Sequence, residues 1–411
     1  MEKILQTVCI AGKNNIAVNI AKHILVNYKE IELVAIFNIN DTGENTFQRS
    51  FKRFCAQNNI KEVSLDMICD DSNLLFLSLE YDKIIRPQFF ASDRLFNIHF
   101  SALPKYKGMY TSALPILHGE QESGVTLHKI ERGIDTGDIV CQHIFKIDPQ
   151  LNAEALYLLY INYGTELILN KLNELIANTC SALPQPAFDS TYFSKKVIDY
   201  NNIKINLFST ASQILRQVNA FAFPQYQLPE INSVKVYKAK ISEEKSMHKW
   251  GFVEEENDFY FKIATMDYDV FLFKDRREKL FEIAEHGNID AFNKFYCSGY
   301  DIRQRSQRGW DIAIIAAYYG KFEFLDYLVR NIGWDINTYN NNGTTLSMYI
   351  MTEVSKSDNV LYLKKFITEN QIDVNHVDFD GVSLMTYAKK YGNNNVIELL
   401  NSFSNRISEI T

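Results

Sequence analysis

The rhythm of apolar and polar positions changes twice along the chain. Up to about residue 180, short runs of apolar and β-branched residues alternate with stretches whose apolar positions recur every three or four residues. ILQTVCI reads as a buried strand. In the AGKNNIAVNIAKHIL that follows, Gly12 is expected at a turn, and Ile16, Val18, Ile20, Ile24 and Leu25 share one helical face. ELVAIFN then reads as a second strand, NLLFLSL, LFNIHFSAL, GVTLHKI and DIVCQHIFKI as later ones, and a long helix is expected over about 153–178. Strands alternating with helices predict an α/β domain of Rossmann-like form on a mostly parallel sheet. The first strand is not followed by GxGxxG, which argues against a bound dinucleotide.

From 181 to 275 the runs become short and β-prone and are broken by Pro184, Pro186, Pro224 and Pro229, with one helical piece near SQILRQVNAF. This predicts a small, mostly β second domain that supplies one wall of a cleft. From 276 to 411 the pattern turns helical and repeats: Gly309, Gly343 and Gly381, 34 and 38 residues apart, are each followed by two residues, an apolar run and a helix. Asp335-Ile336-Asn337 and Asp373-Val374-Asn375 close two of these units. A period near 33 with a glycine turn resembles ankyrin repeats, about four of them, in an all-α C-terminal domain whose units must stack to bury their apolar faces.

Charge and cysteine usage narrow the possibilities. With 43 basic and 50 acidic residues the net charge is −7, which argues against gripping a nucleic acid or an anionic membrane surface. No stretch approaches the length of an apolar membrane span and the N-terminus lacks the pattern of a signal peptide, so a cytoplasmic location is expected. The six cysteines lie far apart with no CxxC pair, and HxxxH and HExxH arrangements are missing; neither disulfides nor a metal are expected.

The densest chemistry lies in FNIHFSALPKYKG, residues 96–108, and ERGIDTGDIV, residues 131–140. Strand alternation puts Asn97 and His99 on one face, so an amide and an imidazole can converge on one reacting atom. The Ser-Ala-Leu-Pro that follows ends the strand, where α/β folds place ligands. Asp135 lies in a loop that two glycines keep tight, with Asp138 as a rival carboxylate three residues on. His118, His128 and His143 read as surface or strand histidines.

These motifs resemble the formyltransferase family that uses N10-formyltetrahydrofolate, which includes methionyl-tRNA formyltransferase and the sugar N-formyltransferases. The family pattern is Asn-x-His, then SLLPxYRG, then the catalytic aspartate of a GxDTGxI loop. Here it reads Asn97-Ile98-His99, SALPKYKG and Gly133-Ile134-Asp135-Thr136-Gly137-Asp138-Ile139, with Lys107 where arginine is common and the usual proline of the RGxxP stretch replaced, the local sequence being GMYTSALPILHG. The resemblance implies catalysis by Asn97, His99 and Asp135, with N10-formyltetrahydrofolate as co-substrate held near Ser78, Tyr81 and Asp138. It also implies that the loop carrying Tyr110 faces the acceptor.

For that acceptor, Lys83, Lys105 and Lys107 are candidates to meet a pyrophosphate, and Phe221, Phe223 and Tyr226 offer an aromatic platform for a base. The acidic stretch 242–257 and the repeats disfavour tRNA. The expected acceptor is a nucleotide-linked amino sugar, a dTDP-linked 3-amino-3,6-dideoxyhexose used for O-antigen or other surface polysaccharide. A methionyl-tRNA enzyme and an inactive ankyrin interaction protein are the alternatives. Trp310, after a repeat glycine, marks either a second nucleotide or partner pocket or packing on a neighbouring repeat; a homodimer is allowed but not specified.

Overall fold

The computed structural model describes residues 6–370 and 372–408, the side chains of 404–408 excepted. Two compact units divide the chain, Met1–Glu44 with Arg49–Asp275 and Asn45–Gln48 with Arg276–Thr411. In the first unit the early strands are β1 Gln6–Gly12, β2 Ile31–Phe37, β3 Lys61–Glu62, β4 Leu75–Leu79 and β5 Leu95–His99; β6 is Lys107–Gly108, β7 Glu122–Lys129 and β8 Ile139–Lys146. Seven of these form a sheet in the order β3-β2-β1-β4-β5-β7-β8, parallel as far as β5 and antiparallel from there on. The helices in this stretch are α1 Asn14–Asn27, α2 Phe51–Gln57, α3 Leu65–Ile68, α4 Leu114–His118 and α5 Ala153–Ala177.

The central strands are apolar throughout because both faces are covered. From β1, Val8 and Ile10 enter one core with Ile16, Ile20 and Ile24 of α1 and Leu156, Tyr160, Ile168 and Leu172 of α5. The intervening Cys9 and Ala11 enter the opposite core with Val34, Ile36, Phe76 and Leu95. The helix expected over 153–178 is α5, capped at its start by the Asn152 side chain accepting from Ala155 N and at its end by Asn178 in the left-handed conformation.

Gly12 does not sit at a turn. It is the last residue of β1, and a Cβ there would lie 1.8 Å from the carbonyl oxygen of Leu79 in β4; Asn14, at φ +64°, redirects the chain instead. Gly12→Ala is therefore expected to force β1 and β4 apart and to destabilise this unit by at least about 1–3 kcal/mol. Urea unfolding checks this, and an unchanged midpoint would refute the close approach.

After α5 come β9 Tyr192–Phe193, which pairs with β6, and α6 Ala211–Phe221. Next are β10 Glu230–Ile231, β11 Val234–Lys245, β12 Val253–Glu256, β13 Tyr260–Ile263 and β14 Tyr268–Lys274. These last five make an antiparallel sheet ordered β10-β11-β14-β13-β12. Ile214, Leu215 and Val218 of α6 pack against Val236, Ala239, Phe261, Ile263, Val270 and Leu272 of that sheet. A capping box of Thr210 and Gln213 starts α6.

The second unit contains α7 Arg277–His286, α8 Ile289–Cys297, α9 Ile312–Tyr318, α10 Phe322–Tyr327, α11 Leu346–Ser357, α12 Val360–Asn370, α13 Leu384–Tyr391 and α14 Asn394–Ser408, in four successive helix pairs. The repeated spacing has a local cause. Gly309, Gly343 and Gly381 all adopt φ +76°, and the residue two positions on caps the next helix. Asp311 accepts from Ile314 N, Thr345 from Met348 N and Ser383 from Thr386 N. The recurring Asp-x-Asn is a turn in which Asp335 and Asp373 accept from the backbone N–H of Asn337 and Asn375, at 2.9 Å each. Among the described residues no helix is long and apolar enough to cross a membrane.

Candidate active site

β5 ends at His99, and its antiparallel neighbour β7 sets His128 opposite Asn97 and Thr126 opposite His99. The loop leaving β7 returns through Asp135 to β8, so Asn97, His99, His128 and Asp135 meet at one end of the sheet. His99 and His128 are buried, with ring centroids 6.5 Å apart. Asp135 Oδ2 lies 3.4 Å from His99 Nδ1 and accepts from the backbone N–H of Gly108 at 2.8 Å; its Oδ1 lies 3.6 Å from His128 Nε2.

Backbone carbonyls set the protonation pattern, since they can only accept. His99 Nε2 is 2.8 Å from the Tyr106 carbonyl oxygen and must carry hydrogen there, which leaves the lone pair of the neutral ring on Nδ1, facing Asp135. The carbonyl of Tyr106, not the carboxylate, therefore selects the His99 tautomer, and the carboxylate favours a proton arriving at Nδ1. His128 Nδ1 is 2.7 Å from the Lys129 carbonyl oxygen, so its Nε2 is the acceptor and receives a hydrogen from Asn97 Nδ2 at 3.1 Å. The amide nitrogen of Asn97 keeps a second hydrogen for another acceptor.

Burial lowers the His99 pKa, opposed by the Asp135 charge and by the hydrogen bond to Tyr106. For Asp135, burial would raise the carboxyl, but the neighbouring His99 and His128 rings and the Gly108 N–H outweigh it and hold the group at about 2. The site at rest is a neutral imidazole beside an ionised carboxylate. His128, read from the sequence as an ordinary strand histidine, is in fact part of this cluster. The signal that could have found it is its place in the strand that feeds the Asp135 loop.

The other expected residues are scattered. Ser78 is buried in β4 beside Asn97 in register, and half-buried Tyr81 packs against the core on the face opposite α1 and α5. Asp138 accepts Lys129 N through its carbonyl. Lys83 is exposed. Lys105 lines a groove of about 460 Å³ with Tyr106, Glu120 and Phe188, and Lys107 Nζ donates to Ser190. Tyr110 spends its hydroxyl on the Lys195 carbonyl, at 2.7 Å.

The aromatic trio separates. Phe221 packs among three apolar cores and serves as structure, not as a platform. Phe223 is buried against Tyr157, 5.7 Å between centroids, and carries Tyr226, 62% exposed, at 4.7 Å. Beneath them lies a cluster that pattern reading passed over. Asn14 Nδ2 donates to Glu80 at 3.0 Å and to the Tyr157 hydroxyl at 2.7 Å, and Tyr157 donates to Glu80 at 2.9 Å. Burial raises the Glu80 carboxyl. Asn14 and Glu80 follow β1 and β4, the adjacent strands at which the winding order of the sheet reverses, a place where α/β folds bind ligands. Trp310 is half-buried, its ring 4.9 Å from Tyr318 and 5.2 Å from Tyr349 of the next helix pair. Among the described residues no group of three or more His, Cys, Asp or Glu could hold a metal.

Comparison with known proteins defines the class. Residues 42–170 match the formyl transferase family and residues 280–378 match ankyrin repeats in three copies. Among solved structures, WlaRD, a sugar 3N-formyl transferase determined in the presence of dTDP and 5-N-formyl-THF, is 45% identical over 67% of this chain and 99% of its own, with a TM-score of 0.62. An N-formyltransferase from Helicobacter canadensis in complex with folinic acid and dTDP-3-aminofucose is 42% identical over 65% of this chain and 99% of its own, with a TM-score of 0.61. Among curated relatives, methionyl-tRNA formyltransferase of Fervidobacterium nodosum is 30% identical over 39% of this chain, and the match spans about half of that relative, 51%. The Ureaplasma parvum enzyme of the same name is 28% identical over 60% of this chain and 85% of its own. The chain belongs to the sugar N-formyltransferase family.

Proposed function

We propose that the chain transfers a formyl group from N10-formyltetrahydrofolate to the amine of a dTDP-linked 3-amino-3,6-dideoxyhexose, in the making of a bacterial surface polysaccharide such as O-antigen. What carries this reading is the 45% and 42% identity, over 99% of their lengths, to proteins solved with formylated folates and with dTDP or dTDP-3-aminofucose. The methionyl-tRNA relatives are more distant, at 30% and 28%, and the net charge of −7 offers tRNA little. Exposed Ile84 and Phe89, in the loop after β4, are apolar surface suited to a flat donor ring.

The chemistry follows from the site. As the sugar amine bonds to the formyl carbon, charge develops on the formyl oxygen, and the free hydrogen of Asn97 Nδ2 meets it; such a donor is worth about 3 kcal/mol. The amine proton passes to His99 Nδ1, where ionised Asp135 stabilises the imidazolium. Breaking the bond from carbon to N10 then returns that proton to the departing folate nitrogen. Asn14, Glu80, Tyr157, Phe223 and Tyr226, grouped beside the strands at which the sheet order reverses, are the residues we assign to the nucleotide-linked acceptor, with Tyr226 as the base platform.

The test is tetrahydrofolate release by the full chain with N10-formyltetrahydrofolate and a panel of dTDP- and UDP-linked 3- and 4-amino sugars. Turnover is expected with a dTDP-3-amino sugar at a kcat/KM at least about tenfold above any UDP or 4-amino member. Silence across the panel, or turnover of methionyl-tRNA alone, would overturn the reading.

A further inference from the structure

Residues 183–193 run along the outside of both catalytic loops. At one end Leu183 and Ile139 exchange backbone hydrogen bonds of 2.9 and 2.8 Å. At the other, Thr191 accepts Tyr106 N through its hydroxyl at 2.8 Å and Lys107 N through its carbonyl at 3.0 Å, while the Phe193 carbonyl accepts Met109 N at 2.8 Å. Between these anchors Gln185 reaches inward, its Nε2 2.8 Å from the Asp135 carbonyl oxygen and 2.8 Å from that of Gly137. Both partners are pure acceptors, so the atom facing them is the amide nitrogen, and both of its hydrogens are committed. The price is visible in Gln185 Oε1, which is buried with no hydrogen-bond partner among the described residues.

The backbone held in this way is a strained one. Asp135 sits at φ +53°, a left-handed conformation that residues with a side chain rarely adopt and that surrounding contacts must impose. Two residues on, Gly137 presses on the Lys129 carbonyl so closely that a Cβ would stand 1.9 Å from the oxygen, which holds the far side of the loop. Relaxing Asp135 to an ordinary φ would swing its carboxylate off Gly108 N–H and away from both imidazoles. In the left-handed form Asp135 places Oδ2 on Gly108 N and Oδ1 beside His128 at the same time.

We infer that Gln185 is a positioning residue for the reaction: its carboxamide clamps the carbonyls of Asp135 and Gly137 and so aims the Asp135 carboxylate at His99. This role rests on the formyl transfer proposed above. Among the described residues the hydrogen bonds of Gln185 go to the carbonyls of Asp135 and Gly137 and none goes to either imidazole, so its effect passes through the geometry of the Asp135 loop.

Gln185→Met keeps the side-chain length and removes both donors. It is expected to lower kcat about tenfold to a hundredfold, the penalty of a misplaced catalytic group, with KM for donor and acceptor within about twofold of wild type. In an Asp135→Asn background the same change should cost no further kcat, because the group it aims is already gone. Wild-type kcat in Gln185→Met, or losses that multiply in the double variant, would overturn the clamp. If the Met variant does not fold, isosteric Gln185→Glu replaces it with the same expectation, since a carboxylate cannot donate to two carbonyls. A second readout needs no substrate. In histidine-ring NMR of the full chain, Gln185→Met should move the His99 and His128 resonances and leave the remaining histidines in place, and unmoved His99 and His128 would refute the clamp even if wild type proved inactive on every amino sugar.

Discussion

Asp135→Asn is expected to lower kcat by about 10²- to 10⁴-fold while leaving KM for both substrates nearly unchanged. The asparagine keeps the size of the side chain and can still accept from Gly108 N–H. What it loses is the negative charge beside His99 Nδ1, 3.4 Å away, at the atom proposed to take the amine proton. A pH profile separates this from simple misfolding. The proposed proton transfer needs neutral His99, whose pKa burial lowers from its ordinary value, so the acid limb of kcat/KM in the wild type is expected below about 6.5. The Asp135 charge raises that pKa in part, so removing it moves the acid limb lower still. An acid limb unmoved by the substitution would mean that Asp135 does not act on His99 electrostatically.

The same shifts bear on stability, with a definite sign. His99 and Asp135 both have folded-state pKa values below their unfolded ones, so between each pair of values the unfolded chain binds more protons and stability rises with pH. Stability supplied by Asp135 is fully present above about 3.8 and is lost as pH falls toward about 2, whereas the cost of charging buried His99 sets in as pH falls below about 6.5. Asp135→Asn should therefore be less stable than wild type near neutrality and converge on it in acid, as chemical denaturation across that range would show.

His99→Asn is expected to abolish turnover, a loss of about 10³-fold or more, because it removes the Nδ1 lone pair that faces the Asp135 carboxylate, whereas the Nε2 of His128 is engaged by Asn97. Asparagine supplies no basic nitrogen, and its shorter side chain gives up the Nε2 hydrogen bond to the Tyr106 carbonyl. Tetrahydrofolate release at high enzyme concentration measures the residue of activity. A variant retaining a tenth of wild-type kcat would assign proton transfer to another group, and His128 would then be the first to examine.

Asn97, His99 and Asp135 were legible because their spacing carries geometry: two residues apart on one strand face, then a carboxylate in a loop with two glycines. His128 was not legible as a partner, since nothing local says that β7 runs antiparallel to β5 and sets it opposite Asn97. Asn14, Glu80 and Tyr157 were hidden for the same reason, being far apart in the chain and joined only by the order of strands in the sheet. Tyr81 and Phe221 could not be decided from sequence, because an aromatic residue near a motif reads alike whether its ring faces a ligand or a core.

By itself the sequence determined what depends on local periodicity and steric rule: the α/β opening, the small β-rich part, the repeats with their glycine turns and helix caps, and three of the residues that meet in the candidate site. Only the tertiary structure decided which hydrogen each imidazole carries, because Tyr106 and Lys129 place carbonyl oxygens against the rings. It alone decided that Gly12 serves a close approach of strands and that Gln185 reaches back across fifty residues to the Asp135 loop. Hydrophobic periodicity is written along the chain, whereas the orientation of a buried hydrogen bond depends on which distant backbone atom folding brings to face it.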